Sequence, residues 1–325
     1  MVSTVASVIH ANLEDLNARL AEIRDGDHDA IHDGRVATRR LRAALPLVGS
    51  TKDSEEIAAA TAIVRTLGRA LGKARDTDVA LALLDDIERR SPDTAPATAS
   101  MRARLLPKQL RQRRRVIKTL ESLDLDGLGR LHATLKRDGR TVRSQLAAAV
   151  GAYADAATKK IDHASGVYFP NRAHYARVAI KKLRYAAELI DRAGGVRKPA
   201  LRALRKAQDI LGRIHDREML LRRLRVQAKE EPLPAARALA RVLEAESRVI
   251  FEEYLALRRD VTDACEHLAA WARHVDGSLR APRLLVVGAV ALPPVIWLAV
   301  RRYAAPYESS SSRTRRPAIR AASVS

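Results

Sequence analysis

Two basic segments, each led by a histidine, have residue types and spacing suited to binding an anion. They begin at His32 and His174, and both follow the pattern H-x-x-R-V-x-x-[RK]-[RK]-L-R. We call each a His-led motif. Guanidinium and ammonium groups carry positive charge and donate hydrogen bonds, as does a protonated imidazole, so this combination predicts recognition of a negatively charged ligand.

The spacing places the cations of each motif on one side of a helix. At about 100° per residue, Arg35, Arg39 and Arg42 lie near the direction of His32, whereas Leu41 faces the opposite side. The second copy presents the corresponding set: His174, Arg177, Lys181 and Arg184. A solvated basic surface is the ordinary role of such a face. Like charges on one face repel, however, by roughly a few tenths of a kcal/mol per pair. Because this repulsion is present in both His-led motifs, the pattern indicates a bound anion that offsets it.

A second pattern, L-G-[KR]-x-[RH]-D-x-[DE], also occurs twice, and we call it the LG motif. It begins at Leu71 and Leu211, an offset of 140 residues that nearly equals the 142 between the His-led motifs. Its glycine predicts a helix end followed by a helix start, or a close approach of another group. Asp76 and Asp216 then either cap the following helix or orient a side chain of the His-led motifs, and both interpretations stay open.

Further cations follow at helical spacing. One stripe consists of Arg104, Lys108, Arg111, Arg115 and Lys118, and a shorter one consists of Arg222, Arg225 and Lys229. Lys73 and Arg213 occupy equivalent positions in the two LG motifs. If two halves of the chain pack about a pseudo-twofold axis, these cations line one long groove or pore, which suits a linear polyanion.

The composition narrows the function classes. The chain has 325 residues and a formal net charge of +21, with 30% charged and 47% hydrophobic residues, so full-length disorder is excluded. Its one cysteine, Cys265, excludes an internal disulfide framework and a thiolate metal cluster. Only 3% of the residues are aromatic. The sequence implies no cofactor and no metal.

The elements that must position these motifs are helices. Leu, Ala, Arg and Glu dominate up to about residue 280, strand-like alternation is not sustained, and the breakers predict helices of roughly 15–25 residues. The paired motifs predict a tandem duplication, with a first half over about 1–155 and a second over about 156–280. The expected fold class is therefore all-α.

The two ends of the chain differ. The N-terminus lacks a basic region and an unbroken apolar core, which predicts a cytoplasmic protein without a signal peptide. Residues 284–300 form an apolar run without charge, inside a C-terminal segment over 281–302. This run is at the lower length limit for a membrane span, so a membrane anchor and a segment packed on the protein surface are both compatible with it. We expect residues 303–325 to form a disordered basic tail.

The His-led and LG motifs together resemble those of the CHAD family, the conserved histidine α-helical domain. The resemblance spans about residues 5–275. It implies two four-helix bundles with pseudo-twofold symmetry around a basic central groove or pore. It also implies non-enzymatic binding of inorganic polyphosphate, with targeting or scaffolding at polyphosphate granules. Lys181 and Lys182 stand where the first copy has two arginines, which keeps the charge.

The site residues follow from this resemblance together with the cation spacing. The resemblance assigns polyphosphate binding to eight residues: His32, Arg35, Arg39, Arg42, His174, Arg177, Lys181 and Arg184. The spacing adds further contacts: Arg40, Lys73, Arg111, Arg115, Lys182, Arg213 and Arg222. Asp76 and Asp216 are the expected orienting or capping residues. No catalytic residue is expected.

Two other functions fit parts of the pattern. The charge permits non-specific nucleic-acid binding, but few aromatic residues are available to stack bases, and only Tyr175 and Tyr185 lie within a His-led motif. A metal-dependent phosphohydrolase would need the motif histidines and the LG-motif carboxylates to converge on a cation. The arginines around each histidine oppose a cation, and the chain lacks an E-x-E-x-K signature, so triphosphatase activity is not expected.

Overall fold

The computed structural model describes residues 2–47, 54–124, 139–191, 198–230 and 234–280. All regular secondary structure in these ranges is helical, which confirms the all-α fold class. The described helices are α1 (Val2–Ala18), α2 (Leu20–Arg24), α3 (His28–Ala44), α4 (Ser54–Arg90), α5 (Ala95–Ser122), α6 (Gly139–His163), α7 (Pro170–Asp191), α8 (Lys198–Glu230) and α9 (Pro234–Arg280). Short 3-10 turns lie at Leu45–Leu47 and Pro92–Thr94.

Local signals set the start of α3, which carries the first His-led motif. Gly26 adopts a φ of 80°, a left-handed conformation that other residues rarely adopt, and turns the chain after α2. The Asp27 side chain then accepts a 2.7 Å hydrogen bond from the backbone N–H of Ala30, which satisfies one of the free N–H groups of the first turn. The orientation of His32 is thereby fixed from the preceding turn.

Four of the described helices are longer than predicted. α4 has 37 residues, α5 has 28, α8 has 33 and α9 has 47. The helix ends expected at Gly72 and Gly212 are wrong, because both glycines lie inside continuous helices. A glycine in a helix costs only about 1 kcal/mol relative to alanine, which the packing of a long helix can outweigh.

The helices that carry the motifs pack in the same order in both parts of the chain. α1 contacts α3, α3 contacts α4 and α4 contacts α5, while α6 contacts α7, α7 contacts α8 and α8 contacts α9. α3 also contacts α7, so the two His-led motifs lie on neighbouring helices. The tandem duplication and the pseudo-twofold axis themselves stay predictions.

Apolar side chains of both parts share two cores. The main core contains residues from α1 to α9, including Leu41 of α3 and Leu183 of α7. The distal core joins the end of α4, the start of α5, the end of α8 and the start of α9, through residues such as Leu84, Met101 and Leu220. Each core therefore draws on both parts of the chain.

The compact unit spans Met1–Ala281, and residues 282–325 form a second unit outside the described residues. The boundary expected at residues 155 and 156 lies within α6, a single continuous helix. The apolar run 284–300 and the tail 303–325 lie outside the described residues. Among the helices that are described, none is both long enough and apolar enough to cross a bilayer.

Candidate anion-binding site

Cations from α3 and α7 meet in one cluster. The pKa of Lys181 on α7 is lowered to about 8, mainly by burial and also by the neighbouring cations Arg177, Arg39, Arg42 and Arg35. Three of these four arginines belong to the first His-led motif. We call Arg35, Arg39, Arg42, His174, Arg177 and Lys181 the central cation cluster. Because α3 contacts α7, cations of both motifs lie near Lys181, and the single groove that the paired motifs predict stays a prediction.

Two arginines of this cluster, one from each motif, carry an unused donor. The Nε atoms of Arg39 and Arg177 are buried and have no hydrogen-bond partner among the described residues. Burial lowers the pKa of both groups, and in both cases Arg35 contributes as a neighbouring cation. A buried donor without a partner costs roughly 1–3 kcal/mol. An anion placed between α3 and α7 would remove that cost.

A buried tyrosine supports the cluster from within α7. Tyr185 is 6% exposed, and its ring lies 4.4 Å from the Arg184 guanidinium carbon and 5.7 Å from that of Arg39, measured to the ring centroid. The negative face of an aromatic ring attracts guanidinium groups by roughly 0.5–2 kcal/mol. Tyr185 therefore stabilises cations contributed by both motifs.

The LG motif of α4 positions Arg35. Its guanidinium lies directly over Gly72, and Nη2 is 3.0 Å from Oδ1 of Asp76. On α8, Asp216 lies beside Arg177, where burial raises the pKa of the carboxyl group and the Arg177 charge opposes that increase. Asp76 and Asp216 lie in the middle of helices, so the capping interpretation is wrong, and the orienting interpretation is the one that remains.

Histidines lie at the edge of the cluster. Burial lowers the pKa of His174, and Arg177, Lys181 and Arg222 lower it further. The His215 ring lies 5.2 Å from that of His174, and burial together with Arg177 lowers the pKa of His215 to about 3. Both imidazoles and Arg222 line a cleft of about 190 Å³.

The first motif's histidine has a similar environment. Burial lowers the pKa of His32, and Arg75 is its strongest cationic influence, ahead of Arg39 and Arg35. Among these influences, only Asp33, its neighbour in sequence, raises the pKa of His32. Both motif histidines therefore favour the neutral state in the free protein. The negative charge of a bound anion raises their pKa and favours the protonated state.

A second group of cations lies between α4, α5 and α8. Burial lowers the pKa of Lys108, and Arg223, Arg111 and Lys73 lower it further. Arg223 also lies near Asp76, so it connects this group to Arg35 of the central cluster. Positive charge therefore continues beyond the central cluster along α4.

Several predicted contacts have other partners. Arg184 donates to Gln208 and to Glu188, at 2.9 and 2.7 Å, and its side chain is only 12% exposed. Arg213 forms a bidentate pair with Glu253 of α9. Both arginines are thus paired with carboxylates in the structure, and their contact with a bound anion stays a prediction.

Three further predicted contacts lie at the margin. Arg40 lines a small cavity of about 80 Å³ together with Tyr185, Glu188 and Asp191. Arg115 and Lys182 are exposed on α5 and α7. Within the described ranges, no group of three or more histidine, cysteine or carboxylate side chains is arranged to hold a metal ion.

Sequence reasoning missed three contributors. His215 lies within the LG motif, and the sequence pattern assigns it no role beyond that position. For Tyr185 the sequence suggests only base stacking, which its burial prevents. Arg223 gave no signal, because its role depends on how α8 packs near α4. The helix-contact pattern, not the spacing along one helix, identifies all three.

Comparisons with known proteins agree with this geometry. The CHAD domain profile matches residues 7–225. The CHAD domain from the plant Ricinus communis is 22% identical with a TM-score of 0.54, and the match covers 87% of this chain and 92% of that one. PptA from Streptomyces chartreusis is 19% identical with a TM-score of 0.57, covering 82% of this chain and 99% of that one. At these identities the likeness shows a shared fold. A search of curated proteins gave no match.

Proposed function

The chain belongs to the CHAD domain family, and we propose that it binds inorganic polyphosphate through the central cation cluster without transforming it. The observation that carries this proposal is the pair of buried, unpartnered Nε donors on Arg39 and Arg177. They come from the two His-led motifs and meet around Lys181. Guanidinium groups bind phosphate oxygens strongly, often through two parallel hydrogen bonds.

A linear polyanion explains the cluster better than a single small anion does. Two unit charges about 6 Å apart repel by roughly 3 kcal/mol at an effective dielectric constant of 20, so the free cluster is costly. One phosphate could offset only its nearest neighbours. A chain of phosphates could also reach the second cation group around Lys108 and Arg223.

The environment of the histidines supports binding over catalysis. His174 and His215 lie among Arg177, Lys181 and Arg222, which oppose a divalent cation. Incubating the purified protein with polyphosphate and Mg²⁺ tests this part directly. Release of phosphate above the rate of a sample without protein would contradict a binding function.

The binding test is a titration with polyphosphate of defined length at physiological salt. A variant combining His32→Gln, Arg39→Gln, His174→Gln and Lys181→Gln is expected to lose at least tenfold in affinity. Its matched control carries Arg89→Gln, Lys159→Gln, His163→Gln and His274→Gln, all at exposed positions with the same change in formal charge. Equal affinities of the two variants would show that net charge, and not the cluster, drives binding.

Competition with RNA distinguishes the alternative of nucleic-acid binding. Tyr185 is buried and cannot stack a base, which leaves Tyr175 as the exposed tyrosine of the His-led motifs. We expect both complexes to weaken with added salt, because each releases counterions, and we expect polyphosphate to displace RNA at physiological salt. Preferential retention of RNA would favour the alternative.

The cellular role that follows is association with polyphosphate granules in the cytoplasm. A fluorescent fusion is expected to concentrate at granules and to disperse when the four cluster substitutions are introduced. Fractionation of cells that express the chain with and without residues 281–325 tests the membrane-anchor interpretation separately. Loss of membrane association only in the shortened chain would support an anchor.

A further inference from the structure

Positively charged side chains from α3 and α7 lie near Lys181. Arg177 and Tyr185 stand four residues before and after it, on the same face of α7. Arg35, Arg39 and Arg42 influence it from α3. No carboxylate or hydrogen-bond acceptor in the described part of the chain is paired with its amine. A structural lysine would normally have such a partner, so this environment favours the uncharged amine.

The consequence is an unusually reactive side chain. With a pKa of about 8, roughly a tenth of the Lys181 amine is unprotonated at pH 7, whereas an ordinary exposed lysine is almost fully charged. An unprotonated amine is a nucleophile. Desolvation and neighbouring cations are the two means by which proteins activate lysine for attack on a carbonyl carbon.

The same surroundings select one class of electrophile. The unused Nε donors of Arg39 and Arg177 can hold a phosphate group beside the amine. A reagent that carries a carbonyl carbon next to a phosphate would therefore be bound and activated in one place. Acyl phosphates have this structure, and the arginines would also stabilise the negative charge of the departing phosphate.

We propose that Lys181 is a site of acylation by small acyl phosphates, docked through their phosphate group on Arg39 and Arg177. In the reaction, the Nζ lone pair attacks the carbonyl carbon and forms the amide bond. The bond from that carbon to the bridging oxygen breaks, and the phosphate leaves with its electron pair. One amine proton passes to the phosphate, so the products are the N-acyl lysine and hydrogen phosphate.

Acylation and anion binding then oppose each other. The amide carries no charge, so acylated Lys181 contributes less to polyphosphate affinity. A bound polyanion favours the protonated amine and covers the cluster, which protects Lys181. This antagonism rests on the proposed function, whereas the acylation itself needs only the arginines and the amine.

The experiment treats the full-length protein with acetyl phosphate at pH 7.5 and follows each lysine by peptide mass spectrometry. Lys159, which is exposed on α6, is the internal reference. Lys181 is expected to react at least tenfold faster than Lys159. With p-nitrophenyl acetate, an acetyl donor without a phosphate group, the ratio of the two rates is expected to fall at least fivefold. Lys181→Arg abolishes the modification without changing the rate at Lys159.

Two results would overturn the proposal: a Lys181 rate no higher than that of Lys159, or the same rate ratio with both acetyl donors. Added polyphosphate is expected to slow only the Lys181 reaction. The direct polyphosphate titration is read separately. If Lys181 reacts selectively but polyphosphate does not bind, the proposed function fails and acylation stands. If polyphosphate binds but Lys181 reacts no faster than Lys159, acylation fails and the proposed function stands.

Discussion

The guanidinium of Arg35 occupies the space over Gly72, where a β carbon would lie 2.7 Å from its Nη1 atom. That distance is too short for any non-bonded contact, so a side chain at this position would displace the Arg35 head group. The equivalent glycine of the second LG motif differs, because a β carbon at Gly212 would lie 4.0 Å from Nε of Arg177. Gly72 is therefore needed to make room for Arg35, whereas a β carbon at Gly212 would be in ordinary van der Waals contact with Arg177.

Gly72→Ala is therefore expected to separate stability from binding. Alanine favours the helix by about 1 kcal/mol, and the partly exposed ion pair of Arg35 with Asp76 contributes roughly 0.2–1 kcal/mol. The free energy of unfolding, from urea denaturation, should change by less than about 1 kcal/mol. Polyphosphate affinity should fall by about three- to tenfold, equivalent to roughly 0.7–1.4 kcal/mol, because Arg35 leaves the cluster.

Gly212→Ala is the matched control. It brings the same gain in helix propensity, about 1 kcal/mol, without displacing Arg177. We expect higher stability and unchanged polyphosphate affinity. If both alanine variants lose affinity to the same extent, the position of Arg35 over Gly72 is not what binding requires.

Tyr185 offers a test of the ring under the arginines. Its hydroxyl is buried without a hydrogen-bond partner among the described residues, so Tyr185→Phe should be neutral or slightly stabilising, and binding should persist. Tyr185→Leu removes the ring that attracts Arg39 and Arg184, and affinity should fall by about fivefold. Calorimetric titration of both variants measures the difference. Equal losses in both variants would assign the effect to the hydroxyl instead of the ring.

Binding should weaken as pH rises above about 8. Burial and the cations Arg177, Arg39 and Arg42 lower the pKa of Lys181 to about 8, so the free protein loses this charge above that pH. A bound polyanion favours the charged amine, so binding takes up a proton, and affinity falls by at most about tenfold per pH unit. Titrations from pH 7 to 10 at constant ionic strength measure it.

Lys181→Arg supplies the control for this pH dependence, because arginine keeps its charge throughout the range. Its affinity should vary little between pH 8 and 10. A decline as steep as that of the parent protein would place the linked proton on another group.

Glu246 links distant helices and should matter for stability. It accepts hydrogen bonds from Arg90 of α4 and from Arg217 of α8, the latter at 2.7 Å. Although burial opposes ionisation, these two bonds lower the pKa of its carboxyl group. Glu246→Gln should reduce the free energy of unfolding by about 1–2 kcal/mol, because two guanidinium groups lose their charged partner.

The exposed pair of Glu244 and Arg225 provides the comparison. Glu244→Gln should change stability by less than about 0.5 kcal/mol, as expected for a solvated ion pair. Urea denaturation of both variants at pH 7 measures the contrast. Similar losses would show that Glu246 acts as an ordinary surface residue.

The sequence predicted the cation faces well and their partners poorly. Arg39, Arg177 and Lys181 follow from spacing alone, because residues three and four apart share a helix face. Glu188, the partner of Arg184, lies four residues further along α7, so helical spacing extended past the His-led motif also predicts this pair. Arg213 instead pairs with Glu253 of α9, and spacing along one helix carries no information about a partner on another helix.

Helix lengths were underestimated for a related reason. Gly72 and Gly212 have the composition of a helix end, yet they lie within α4 and α8. Intrinsic propensity is a weak preference of about 1 kcal/mol per glycine, and the burial of neighbouring residues such as Leu71 and Leu211 in the main core outweighs it. The all-α class was predictable because it depends on the whole composition and not on single positions.

The distal core has a consequence for how the two parts of the chain fold. Leu84 and Met101 are buried there together with Leu220 and Leu239, which come from the other part of the chain. A fragment with only one His-led motif and one LG motif would leave this apolar surface open to water. Neither part is therefore expected to be stable as a separate monomer, and the compact unit depends on both being present in one polypeptide.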